Sequence, residues 1–188
     1  MANLNHLGQQ FHEMTQSEFA QQPGTWFHGA ANGMIGAHGG AFHVGTFRAA
    51  HEALGARMAG KNPGNYPKAY DQAIDTARRT GQTGSKRPGA YPSDPKITPG
   101  RIVGKMSNNT FQPYRDEVAN GMAGRLRHQG VYYKNIAEDS GSVSAVLPNR
   151  EHFKTHEDFL VDARAAGKSI PKRALKGYKV PPGQGKLF

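Results

Sequence analysis

The chain has 188 residues, a net charge of +10, 36% apolar residues, 24 glycines and no cysteine. That length suffices for one compact domain with a modest core and much loop, and the missing cysteine excludes disulfides, thiolate metal sites and a cysteine nucleophile. No apolar stretch approaches the roughly 20 residues that span a bilayer, and the first residues, MANLNHLGQQFHEM, lack a signal peptide's basic flank and apolar run, so a cytoplasmic protein without a membrane partner is expected.

Along the chain, Leu7, Phe11, Met14 and Phe19 suggest a short amphipathic helix that ends at Pro23-Gly24. Thr25-Trp26-Phe27-His28-Gly29 reads as an aromatic strand stopped by glycine, and Ala41-Phe42-His43-Val44 as a second short strand ended by Gly45. Phe47, Ala50, Leu54 and Met58 recur at helical spacing, predicting a helix over 47–59 with Thr46 as its N-cap. Residues 60–105, rich in proline and glycine, are the least ordered-looking part; a short helix near Tyr70–Arg79 is expected to interrupt it, and Ile102-Val103 can begin a strand. Gly130–Asn135 and Ser142–Leu147 read as strands, the second alternating small polar and apolar residues. A helix follows from about His156 to Ala166, opened by Thr155 with Asp158 three residues on and closed by Gly167. The pattern predicts an α+β fold. It is expected as a single domain over 1–167 with a flexible basic insertion around 60–105, followed by a basic tail, 168–188.

The charge is uneven. Residues 57–105 hold ten basic and three acidic residues, a balance of +7, and 168–188 hold six basic residues and no acid, leaving −3 for the rest. Both segments can contact a nucleic acid or another polyanion through phosphates, or serve as solubilising loops. Four histidines, His28, His38, His43 and His51, fall close together, but their spacing matches no zinc pattern, so no metal site is expected.

Three clusters carry chemistry. His28-Gly29 ends an aromatic strand, where the ring can face a cleft while glycine lets a ligand approach the backbone. His43-Val44-Gly45-Thr46 joins a strand to a helix start, a setting that suits a phosphate. Tyr133-Lys134-Asn135-Ile136-Ala137-Glu138 places a carboxylate after a strand and before a glycine turn.

In order and spacing these clusters resemble the ADP-ribosyltransferase superfamily, of the His-Tyr-Glu-like, phage-encoded and polyvalent-protein type. The matching residues are His28-Gly29, the run Gly39-Gly40-Ala41-Phe42-His43-Val44-Gly45-Thr46, and Tyr133-Lys134-Asn135-Ile136-Ala137-Glu138 followed by Gly141-Ser142 to Pro148. The resemblance covers roughly residues 25–58 and 125–155. It implies a split β-sheet with flanking helices and Gly/Pro-rich loops, and an enzyme that uses NAD⁺ as substrate. Glu138 would be the catalytic carboxylate. His28, Gly29, His43, Gly45, Thr46, Tyr133 and Asn135 would contact the dinucleotide. The ring that stacks on nicotinamide stays open among Tyr66, Tyr70 and Tyr91. The resemblance further implies a monomeric effector acting in a bacterial host cytoplasm on a macromolecular acceptor, protein or nucleic acid. Ile136, two residues before Glu138, argues against arginine as acceptor. A basic nucleic-acid-binding or virion-packaged protein without catalysis, and an NAD⁺ glycohydrolase, are the alternatives.

Overall fold

In a computed structural model, residues 10–35, 41–59, 72, 74–76, 79, 95–107, 112–113 and 129–178 are described. The fold is α+β. Seven strands are present among these residues: β1 (Trp26–Ala30), β2 (Phe42–Val44), β3 (Lys96–Ile102), β4 (Gln112–Pro113), β5 (Val131–Lys134), β6 (Val143–Leu147) and β7 (Phe153–Thr155). They form two small sheets, ordered β1-β3-β7 and β2-β6-β5-β4. The β1–β3, β2–β6 and β6–β5 pairs are antiparallel, and β4 joins β5 in parallel. Among the described residues the α-helices α1 (Gln16–Ala20), α2 (Phe47–Ala59) and α3 (His156–Ala165) accompany them, and residues 74–76 are helical as well. Among the described residues no helix is long and apolar enough to cross a membrane.

Chain contacts group residues 26–154 into one unit and residues 1–25 with 155–188 into another. The smaller unit includes the basic segment 168–188, expected as a tail. Part of that tail, Lys172–Leu175, is a 3-10 turn with Ala174 fully buried.

In the 26–154 unit, β2 and β6 pair Phe42 with Leu147 and Val44 with Ala145, which puts these side chains on one face. They form a core with Phe153. The opposite face carries His43, Val146, Ser144 and Tyr133, by the same alternation. Strand β6 lies between β2 and β5 with both its edges paired, and Ser144 to Leu147 are all buried rather than alternating. Helix α2 begins and ends where its spacing predicts, and the Thr46 hydroxyl accepts from the Ala49 N–H at 3.0 Å. Its buried Leu54 and Met58 pack with Ile74, which lies in a helical stretch of the 70s, and with Ile97 of β3.

Strand β3 occupies the end of the segment read as a loop, and starts well before Ile102. Its prolines obscured it. Pro99 lies opposite Phe27, and Phe27 exchanges both of its main-chain bonds with Gly45, so the β1–β3 ladder asks no N–H of Pro99.

The other unit is built around aromatic packing. Phe11, Met14, Phe19 and Phe159 form its core, with Phe11 edge-on to Phe19 at 5.4 Å between ring centroids. The single N-terminal helix expected here is instead a 3-10 turn, Phe11–Glu13, and α1, separated by extended Met14 and Thr15. The break follows from Thr15-Gln16-Ser17-Glu18, a capping box in which each end bonds the other's backbone and so starts a new helix. Thr155 and Asp158 do the same for α3, and Gly167 just beyond it takes a φ of 68°.

Candidate functional site

The two sheets of the larger unit approach each other at β1 and β2. Phe27 and Gly45 exchange a pair of main-chain hydrogen bonds, 2.9 and 3.0 Å long. Continued antiparallel pairing would next bring Gly29 to His43. Two side chains replace that pairing. The His28 ring donates from Nδ1 to the His43 carbonyl at 2.7 Å, and the Arg57 guanidinium donates to the Gly29 carbonyl at 2.9 Å. The strands therefore part after one bridge, and the carbonyls exposed by the parting are satisfied by side chains. By strand alternation the Gly29 N–H, on the same side as that of Phe27, faces the opening.

A cleft of about 290 Å³ lies at this parting. It is lined by His28 and Gly29 from β1, His43, Val44 and Gly45 from β2, Ala49, Ala50, Ala53 and Arg57 from α2, Tyr133 from β5, Ser144 from β6, and Asn135, Ala137 and Glu138 from the loop after β5. Of the residues singled out in the sequence, His28, Gly29, His43, Gly45, Tyr133, Asn135 and Glu138 share this cleft. Thr46 is not among its lining residues. Its hydroxyl caps α2 and donates to Asp139 at 2.6 Å. Tyr66, Tyr70 and Tyr91 lie outside the described residues.

Glycine is required at two of these positions by close approach. A Cβ on Gly29 would sit 2.5 Å from the Ala50 carbonyl oxygen, so β1 can rest on α2 only without a side chain there; a Cβ on Gly45 would sit 2.7 Å from Ser144 Oγ. Small residues on α2 complete the wall, since Ala49, Ala53 and Arg57 recur every fourth residue on one helix face.

His28 is buried against the Phe42 ring, with centroids 5.2 Å apart. Burial pushes its pKa down, the bond to the His43 carbonyl opposes this, and the nearby Arg57 and Arg150 charges add to the lowering. The neutral ring, donating through Nδ1, keeps Nε2 as an acceptor. His43 Nδ1 and the Tyr133 hydroxyl are 3.0 Å apart on the cleft face of the second sheet.

Glu138 is held by its backbone. Asn135 is almost fully buried; its Oδ1 accepts from the N–H groups of Ala137 and Glu138, each at 3.1 Å, and its Nδ2 donates to Ser144 Oγ at 3.1 Å. The main chain of Asn135 also pairs with Ser142 and Gly141, closing the loop. Asn135 thus lines the cleft with its polar atoms already engaged by the protein. Asp139 lies in the loop beyond the end of β5 at Lys134 and is not among the residues that line the cleft. Asp139 takes a left-handed φ of 45°, its N–H donates to Glu52 at 2.7 Å, and its carboxylate lies 3.7 Å from Arg48. Glu138 and Arg57 are the only Asp, Glu, Lys or Arg residues among the described residues that line the cleft. Among the described residues, no cluster of His, Asp or Glu could hold a metal ion.

Arg57 was not among the expected site residues and figured only as the first residue of the basic segment 57–105. Its four-residue spacing behind Ala49 and Ala53 was the available signal. No protein-family model, curated protein or solved structure matches the chain.

Proposed function

We propose that the chain is an NAD⁺-dependent mono-ADP-ribosyltransferase in which Glu138 stabilises the oxocarbenium-like transition state. The observation that supports this reading is the convergence of His28, Gly29 and Glu138, from segments far apart in the chain, on one cleft where two small sheets part. The donor set suits the substrate. Neutral His28 offers Nε2 to a ribose hydroxyl, the Gly29 N–H offers a donor to the carboxamide, and Glu138 offers negative charge where positive charge develops. The cleft lies at the small end of ligand pockets, ~300–1,000 Å³, a size for the nicotinamide–ribose half.

In the reaction the bond between ribose C1′ and the nicotinamide nitrogen breaks, and its electron pair leaves with nicotinamide, cancelling the ring charge. Positive charge passes to C1′ and the ribose ring oxygen, opposite the Glu138 carboxylate. A lone pair of the acceptor then bonds C1′, and the acceptor's proton passes to solvent. The basic balance of 57–105 and 168–188 favours an acceptor that is a nucleic acid, or a host protein bound to one.

The test is incubation of labelled NAD⁺ with purified protein and a bacterial lysate, beside Glu138→Gln. Wild type is expected to label a macromolecule, and the variant to release nicotinamide roughly 100- to 1,000-fold more slowly. Nuclease or protease sensitivity of the label identifies the acceptor class, whereas free ADP-ribose alone makes the enzyme a glycohydrolase. If wild type leaves NAD⁺ intact, the enzyme reading falls and polyanion binding, weakened steeply by salt, takes its place.

A further inference from the structure

The cleft has a charged side chain at Glu138 and another at Arg57, and the proposed chemistry uses the first alone. Arg57 is not a loose surface cation. Its Nη1 is fixed on the Gly29 carbonyl at 2.9 Å, next to His28 in sequence, so its guanidinium is held where β1 and β2 part. A guanidinium has five N–H donors and this bond uses one. The Gly29 N–H faces the same opening, and the small side chains of Ala49, Ala50 and Ala53 line the same cleft as Arg57. Arg57 also contributes to keeping His28 neutral, which places its charge within electrostatic reach of that ring.

We infer that Arg57, on the Gly29 carbonyl, forms an anion subsite that anchors the diphosphate of the substrate, making it the residue that selects a dinucleotide over a simple nicotinamide riboside. The inference rests on the transferase reading for the identity of the substrate, but the anion subsite stands on geometry of its own. A fixed cation and a carboxylate in one cleft match a ligand with a phosphate at one end and a positively charged ring at the other. Arginine suits the first role because its planar fork can keep a carbonyl on one edge and take phosphate oxygens on another.

The experiment measures ADP-ribose binding by calorimetry and nicotinamide release from NAD⁺, using the full chain with Arg57→Gln, Arg57→Lys and Glu138→Gln. Gln at 57 keeps an amide donor for the Gly29 carbonyl and removes the charge; thermal melting checks that each variant is folded. Arg57→Gln is expected to weaken ADP-ribose binding by about 10- to 100-fold and to raise KM for NAD⁺ similarly while kcat changes little. Arg57→Lys restores part of the affinity, and Glu138→Gln keeps ADP-ribose binding while losing turnover. Unchanged ADP-ribose affinity in a folded Arg57→Gln overturns the subsite, even if NAD⁺ is consumed. ADP-ribose binding that depends on Arg57, in a protein that never consumes NAD⁺, upholds the subsite and removes the transferase reading. A folded wild type that binds no ADP-ribose overturns the subsite as well.

Discussion

Asn135 shows how one side chain can set the backbone that carries Glu138, the carboxylate of the proposed reaction. Its amide oxygen gathers the N–H groups of Ala137 and Glu138, and its amide nitrogen fixes the loop to Ser144 on β6. Asn135→Ala leaves the buried Ser144 hydroxyl without this donor, at a cost of about 1–3 kcal/mol. It also frees the Glu138 backbone, and a misplaced catalytic group costs up to ~100-fold in rate. The expected outcome is a lower melting temperature with kcat reduced about 10- to 100-fold and KM for NAD⁺ little changed, because Arg57 and His28 are untouched. Asn135→Asp, which keeps the oxygen acceptor, recovers part of kcat. A fall in KM-dependent binding with intact kcat would make Asn135 a ligand contact instead. At this scale the sequence made Glu138 and His28 legible through their neighbours, strand before and glycine after. It placed Asn135 at the cleft, and the partners of its amide, Ala137, Glu138 and Ser144, became visible only in the fold. Arg57 was hidden by a composition argument, since its neighbours beyond Gly60 are basic and the helix face that carries it is visible only in the fold.

Helix α2 ties the first sheet to the loop that carries Glu138. Thr46 caps its start and donates to Asp139, Glu52 one turn further accepts the Asp139 N–H, and Arg48 bonds Glu52 at 2.8 Å. These contacts hold Asp139 in its left-handed conformation and turn it away from Glu138. Thr46→Val keeps the shape and removes the hydroxyl, so it deletes both the cap and the Asp139 bond. Loss of the cap alone costs about 1 kcal/mol. Thermal melting should show that destabilisation, and turnover should fall further than stability explains, because the Glu138 loop loses an anchor; Thr46→Ser restores both. Equal turnover in folded Thr46→Val would show that the loop needs no tie to α2. The helix itself was legible because its apolar spacing and its cap agree. Strand β3 was not. Lys96–Ile102 contains Pro99 and Gly100, residues that argue against a strand, and their tolerance depends on a nonlocal fact: Phe27, opposite Pro99, spends its main-chain bonds on Gly45. The capping box at Thr15 was available in the sequence as Thr-x-x-Glu, and the run of spaced apolar residues around it concealed the break.

Across the molecule, buried histidines in both units tie stability to pH in the same direction. His156 is almost fully buried in the smaller unit, 2.7 Å from the Tyr178 hydroxyl, and burial pushes its pKa down, with the Met14 and Phe11 carbonyls and the Glu18 charge opposing. Tyr178 is held above its usual range by burial and by the charges of Glu157 and Asp158, so it stays protonated and neutral. His28 in the larger unit is lowered chiefly by burial too. For each ring the unfolded chain binds a proton more readily than the fold does. Stability from these groups is therefore complete above the unfolded value near 6.5 and declines as pH falls below it. Each histidine contributes at most about 1.4 kcal/mol per pH unit until its own folded pKa is passed. Denaturant titrations of the full chain between about pH 7.5 and 5.5, roughly one unit either side of that value, should show the loss. His156→Gln should flatten the slope at lower overall stability, since it removes a titrating ring from the core of its unit. His28→Gln should flatten it as well, and should also weaken NAD⁺ binding at every pH. If both variants keep the wild-type slope, the acid sensitivity belongs to the carboxylates or to His12, which burial also lowers, and neither His156 nor His28 is what the fold keeps neutral.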